Sequence, residues 1–272
     1  MKIFIEGVGV LGSGLNGWQA SQAVLAGAAP YLQAELVMPP SDLLPSAERR
    51  RTGVPVKLAL AVGCEAIANS QHNASALPTV FASSAGDGDN MHCIFDMLSK
   101  NGREVSPTRF HNSVHNAPSG YWSIATKAMA SSTSIACFDA SFAAGLIEAA
   151  TQTLASGNAV VLIAYDAPYP QPLHAARPLG AAFGVALVLA ANKTPHSQAE
   201  LEINIRRNRA TSTPMSGAQL EAVRIGTSAA RSLPLLAVLA FAKINVSAKA
   251  IPTKIYLDYI VGNQLEVVVH PC

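Results

Sequence analysis

The chain has 272 residues, 50% of them hydrophobic and 13% charged, where an average soluble domain carries ~25% charged residues. A mean hydropathy of +0.26 excludes intrinsic disorder, and a net charge of +2 without massed basic residues excludes nucleic-acid binding through bulk charge. So little charge on so apolar a chain points to a surface partly covered in a permanent subunit interface.

Lys2–Val10 alternates enough to form a strand, and Glu6 inside it argues against a secretory signal. Gly7-Val8-Gly9-Val10-Leu11-Gly12 matches GxGxxG. A dinucleotide site needs a helix directly behind the glycines, and Ser13, Gly14 and Asn16 delay it. The acidic residue such a site expects would be Glu35, which precedes Val37-Met38 instead of following it. The motif therefore reads as a glycine-rich turn. Trp18–Leu25 predicts a short helix and Pro39–Pro45 a loop. Ser46–Arg49 opens a basic turn, and Arg49, Arg50 and Arg51 form a candidate docking surface for an acidic carrier protein; a solvated turn is the plainer reading. Val56–Ala68 carries Leu60, Cys64 and Ile67 at helical spacing. Thr79–Ser83 is β-rich and leads into the turn Gly86–Asp89. Met91–Leu98 and Ser119–Ala130 predict helices. Between them His111 and His115 stand at helical metal-ligand spacing, but Pro107 and Pro118 bracket them and no carboxylate is near, so no metal is expected.

In the centre of the chain Thr133–Phe138 predicts a buried strand, Ala140–Ser156 a helix stopped by Gly157, and Val160–Tyr165 and Phe183–Ala191 two more strands. The helix is apolar or small nearly all round, which predicts burial on most sides. Strand, buried helix and strand indicate α/β architecture with sheets on both faces of that helix. Ser141 near the helix start is a candidate nucleophile without a GxSxG elbow; capping or packing is the alternative. Glu200–Arg207 alternates as a half-exposed strand, Gln219–Gly226 and Leu233–Phe241 read as helices, and Ile255–Ile260 with Leu265–Val269 flank Gly262-Asn263 as a hairpin. The longest apolar stretches, Gly180–Ala191 and Leu233–Ala242, fall short of the ~18–20 residues of a membrane span. Cys64, Cys93, Cys137 and Cys272 have neither CxxC nor zinc spacing and are expected as free thiols in a reducing cytoplasm.

The run Ser134–Ala150, then Leu154–Gly157 and Val160–Asp166, resembles the nucleophile strand, helix and following strand of β-ketoacyl synthases. Gly7–Gly12 is similar to that family's first strand and turn. Leu44–Arg51 and Phe110–Gly120 resemble the shortened ketosynthase-like proteins of bacterial type II systems, and within them the chain-length-factor-like subunits of aryl polyene clusters. The resemblance covers residues 1–192 best, and the whole chain is expected to form one domain. It implies a thiolase-like fold with α-β-α-β-α layers and a shortened C-terminal half. It also implies a dimer in which Ser134, Ile135, Ala136, Cys137 and Phe138 meet the equivalent strand of the partner.

The departures from the family carry the functional message. Counting back from Gly157 by the family's fixed interval puts the nucleophile position at Ala140, which has no thiol. Cys137 falls inside the predicted strand. The family's His-Gly-Thr and Asn-x-His-His motifs do not occur, and His174, His196 and His270 are isolated. A helix N-terminus activates a thiol by lowering its pKa, but a methyl has nothing to ionise, so acyl transfer lacks its nucleophile and its bases. The resemblance thus implies a cytoplasmic, non-catalytic subunit without cofactor or metal, in a heterodimer with a catalytic ketosynthase. It would meet acyl carrier protein through that complex and shape the acyl tunnel. Val114, His115, Tyr121 and Trp122 are the tunnel candidates, with ordinary interface packing as the alternative. Two other functions remain open: a thioester hydrolase or acyltransferase using Ser141 or Asp139, and a dinucleotide-binding oxidoreductase using Gly7–Gly12.

Overall fold

A computed structural model describes residues 1–100, 104–207, 211–245 and 251–272. Strand β1 (Lys2–Gly12), the short β2 (Leu15–Asn16) and helix α1 (Trp18–Leu25) open the chain. The single turn α2 (Ser46–Arg49) precedes α3 (Val54–Ala68), which takes Pro55 in its first turn, where no helical N–H is lost. Strand β3 (Thr79–Ala82) leads to α4 (Gly88–Ser99), α5 (Pro107–Ser113) and α6 (Ala117–Thr126). Next come β4 (Ser132–Ile135), α7 (Ser141–Ser156), β5 (Val160–Asp166) and α8 (Leu173–Ala176). Strands β6 (Phe183–Ala190) and β7 (Ala199–Arg206), helices α9 (Ala218–Gly226) and α10 (Leu233–Ile244), and strands β8 (Thr253–Asp258) and β9 (Gln264–Pro271) complete it. The expected hairpin is present as β8–β9, with Gly262 at positive φ between the strands. Helix α4 begins earlier than its apolar spacing suggests, because the Asp87 side chain caps it at Asn90 N–H.

The strands form one mixed sheet in the order β4-β3-β5-β6-β1-β7-β9-β8, with β2 paired to β1. β3 runs parallel to β4 and β5, and the other pairs are antiparallel. The strands that the resemblance implies in two β layers are here one continuous sheet, with β1 in its interior. This strand pairs with β6 from Phe4 to Gly12 and, on its other edge, with β7 from Lys2 to Ile5.

One face of the sheet packs on α3 and α6 through Leu58, Val62, Phe81, Trp122 and Ile163. The other packs on α7, α1 and α10 through Val8, Leu146, Leu162, Leu187 and Leu236, and inner residues of β7, β8 and β9 join the same core. The glycines of Gly7–Gly12 lie within strand β1, which corrects the expected turn. A Cβ at Gly9 would sit 2.1 Å from the Val62 carbonyl oxygen, and one at Gly7 would sit 2.1 Å from that of Ala66. These glycines let the backbone of α3 lie directly on β1, so their spacing serves helix–strand contact and not a phosphate.

Helix α7 likewise sits close to the sheet at Gly145, against Ala82 and Leu162. Its buried face is Phe142, Ala143, Gly145, Leu146, Ala149 and Ala150, whereas Ile147 is half-buried and Leu154 exposed. The expectation of burial on most sides is therefore met only in part within one chain. A uniformly apolar sequence does not say which face another chain element covers. Strand β4 also differs from expectation. It ends at Ile135, lies at the edge of the sheet and is only half-buried. The residues beyond it turn away, because the chain must rise from the sheet to start α7.

Candidate functional site

The carboxyl ends of β3 and β5 and the first turn of α7 meet at one end of the sheet. After β4, Ala136 and Cys137 carry the chain into a 3-10 turn, Phe138–Ala140, and α7 starts at Ser141. Cys137 is therefore in the connection and half-buried, not inside a strand as expected from the sequence. Phe138 adopts φ +49°, a left-handed conformation that costs a residue with a Cβ about 1 kcal/mol. Its carbonyl oxygen accepts the Ser141 hydroxyl at 2.7 Å and the Ser228 hydroxyl at 2.8 Å. The Ser141 oxygen in turn accepts the Cys137 N–H at 3.0 Å. Ser141 is buried and both its hydrogen bonds serve this turn, so it fixes the start of the helix. Ala140 is buried at the N-cap position and supplies no side-chain cap.

Charged side chains surround this mouth. Asp139 accepts Arg177 at 2.9 Å and Arg231 at 3.2 Å. Arg231 also reaches Asp258 at 2.7 Å, Arg224 reaches Asp258 at 3.0 Å, and Arg224 pairs with Glu221 at 2.7 Å. Burial opposes charge on Asp258, but the Ser212 hydroxyl and the Arg231 and Arg224 guanidiniums outweigh it and hold the carboxyl below its usual range. Hydrogen bonding to Arg224 does the same for Glu221. The network ties the start of α7 to α9, β8 and the turn before α10. Arg177 also lies over the Phe138 ring, 3.4 Å from its centroid.

Asp166, at the end of β5, is the buried carboxylate of this region. It accepts the Ser83 hydroxyl at 3.1 Å, the Ser84 N–H at 2.8 Å and hydroxyl at 2.7 Å, and the Ala229 N–H at 2.9 Å. Burial pushes its pKa up and these donors pull it back. It fastens the loop after β3 to the turn before α10. Sequence reasoning passed over Asp166 and the arginine network. The signal available for Asp166 was an acidic residue closing a wholly apolar strand.

The other sequence candidates are dispersed. Tyr121 and Trp122 are fully buried in α6, with the Tyr121 hydroxyl donating to Asn112 Oδ1 at 2.9 Å and Trp122 edge-on to Phe81. Val114 is exposed between α5 and α6, and His115 bonds the Ser83 carbonyl at 3.1 Å. His111 stacks edge-on with Tyr121. Arg49 pairs with Asp42 and Arg51 with Glu48, which leaves Arg50 as the cation of the run without an ion pair among the described residues. His196 lines a polar cavity of about 490 Å³ with Lys193, Thr194 and Gln198; Thr194 and Gln198 also donate to Glu6, which pairs with His72. Among the described residues no group of three or more His, Cys, Asp or Glu side chains is placed to hold a metal ion, and no helix is long and apolar enough to cross a membrane.

The sequence profile of the β-ketoacyl synthase N-terminal domain matches residues 18–240. The chain belongs to this β-ketoacyl synthase family. Among solved structures, the ketosynthase ApeO in complex with its chain length factor ApeC from Xenorhabdus doucetiae is similar over 98% of this chain and 99% of the other, at 20% identity and a TM-score of 0.73. The ishigamide ketosynthase/chain length factor is similar over 100% and 99%, at 14% identity and a TM-score of 0.72. AntDE:AntF, a type II polyketide synthase acyl carrier protein in complex with its ketosynthase, covers 100% and 99% at 11% identity and a TM-score of 0.73. None of the curated proteins matches the chain. The fold is thus the thiolase-like fold of ketosynthases, here with the C-terminal half reduced to β7, β8 and β9 and the helices beside them.

Proposed function

We propose that this β-ketoacyl synthase family member is a non-catalytic, chain-length-factor-like subunit of a type II synthase of the aryl polyene kind. It pairs in the cytoplasm with a catalytic ketosynthase, meets acyl carrier protein through the complex and closes the far end of the acyl tunnel. The observation that carries this reading is the α7 mouth. Ala140 occupies the position counted for the nucleophile, and Asp139, Ser141 and Cys137 N–H are all committed to holding the turn. A hydroxyl that donates to a backbone carbonyl and has no base beside it is not activated for attack. The solved relatives that contain chain length factors support the reading in kind.

Within the complex, the half-buried edge strand β4 supplies the surface for pairing, and Val114 with Tyr121 stands nearest the tunnel. Arg50 is the residue of the basic run best placed to meet a carrier. The test is co-expression with a catalytic type II ketosynthase from the same source, followed by size-exclusion chromatography and an acyl-thioester assay of the isolated chain. A one-to-one complex and no turnover above background are expected. Robust turnover by the isolated chain that Ser141→Ala abolishes would overturn the reading in favour of a hydrolase.

A further inference from the structure

We propose that Phe138 is a preorganised anchor that seats in an apolar socket of the partner ketosynthase subunit, just beyond the end of the shared sheet edge. The inference rests on the function proposed above. Phe138 unites features that an incidental surface residue does not need. Its side chain is 61% exposed. Its backbone is left-handed, at φ +49°. The surroundings then hold that conformation from several sides. Two hydroxyls, from Ser141 and Ser228, grip its carbonyl oxygen. The Arg177 guanidinium covers one face of its ring, and Asp139 fixes Arg177. Strain that the structure over-determines marks a position kept for use.

The result is a rigid aromatic knob with one face resting on a cation and the other open. Ordering costs reduce affinity, and here they have already been met on folding. Aromatic residues in this state dominate binding energy at interfaces.

The neighbourhood of Phe138 identifies the occupant. β4 pairs with β3 on one side, and among the described residues its other edge from Ser132 to Ile135 has no strand beside it. Unpaired strand edges take up another strand. Met129, 95% exposed, stands before this open edge, and Phe138 stands after it. A fitting partner therefore offers a strand edge with an apolar socket at its end. That is a second folded sheet protein and not a small ligand. In the proposed complex it is the catalytic subunit.

The test compares Phe138→Ala and Phe138→Gly in the purified ketosynthase complex, by measuring the dissociation constant and the melting temperature of each isolated chain. Both variants remove the ring, but only Gly also relieves the left-handed strain. Both should weaken association at least tenfold, and Phe138→Gly should melt no lower than the wild type. Variants that associate within twofold of the wild type overturn the anchor while leaving the proposed function standing. Variants that lose thermal stability in step with affinity also overturn it, because Phe138 is then a folding residue. A wild-type chain that fails to bind the ketosynthase overturns the proposed function and the anchor together.

Discussion

Replacing Gly9 by Ala should be among the most damaging single-methyl changes in this protein. The added Cβ would lie 2.1 Å from the Val62 carbonyl oxygen and 2.9 Å from the Ala66 nitrogen. A relaxed carbon–oxygen contact needs about 3.3 Å, so α3 has to withdraw from β1 by roughly 1.2 Å at that point. Helix backbone, unlike a side chain, has no rotamer in which to escape. The withdrawal opens a gap along the contacts of Leu58, Val62 and Ala66 with the sheet, and we expect a loss of roughly 2–4 kcal/mol. Two other glycines calibrate the measurement. Gly157 ends α7 at φ +70° with open space around its missing Cβ, so Gly157→Ala should cost about 1 kcal/mol from conformation alone. Gly120 lies within α6, also with nothing near its missing Cβ, so Gly120→Ala should gain about 0.5–1 kcal/mol. Urea unfolding followed by tryptophan fluorescence suits the comparison, because Trp18 and Trp122 are both buried and belong to cores on opposite faces of the sheet. With a slope of about 3 kcal/mol per molar, Gly9→Ala should lower the midpoint by roughly 1 M. A Gly9→Ala midpoint equal to the wild type would refute the close-contact account of the glycine motif.

Further outcomes follow from the α7 mouth and from the proposed tunnel residues. Asp139→Ala deprives Arg177 and Arg231 of their shared carboxylate, and we expect a loss of about 1–2 kcal/mol after allowing for partial exposure; double-mutant cycles with Arg177→Gln and with Arg231→Gln should divide it between the two pairs. Asp258 and Glu221 have folded pKa values below their ordinary ones, so the unfolded chain binds their protons more readily. Their stabilisation is therefore complete above the ordinary carboxylate range and is lost as the pH falls through the lowered values; Asp258→Asn should flatten an acid-unfolding curve recorded by circular dichroism. Asp166 acts in the opposite sense. Its raised pKa makes the folded chain the stronger proton acceptor, so its contribution becomes less unfavourable as the pH falls from neutrality towards the ordinary carboxylate range. In a reconstituted complex Val114→Trp should shorten the product and Tyr121→Ala lengthen it, read by mass spectrometry in two-carbon steps; unchanged products from an intact complex would assign this segment to packing.

Much of this molecule is legible in one dimension. The strands β5 and β6 are continuous apolar runs because both of their faces are covered. Helix α7 ends at Gly157 because the αL stop needs no Cβ, and the β8–β9 hairpin carries its turn residues in view. The run from Ser134 to Asp166 also carries the family resemblance, and with it the missing thiol at Ala140. Those signals are local, and local periodicity is what a sequence writes down directly.

Tertiary structure alone decided the rest, because it depends on which distant groups meet. GxGxxG looks the same whether its glycines face a phosphate or a helix backbone, and only the arrival of α3 on β1 chose the helix. Thr133–Phe138 is apolar enough for an interior strand, yet among the described residues β4 is the edge of the sheet, because no strand comes to its side away from β3. Asp139, Arg177, Arg231 and Asp258 are scattered charges in the chain, and their ion pairs exist only because the turn before α10 and strand β8 return to the mouth of α7. The sequence by itself determined most of the elements and their apolar runs. Folding determined which faces are covered, since coverage comes from partners far away along the chain.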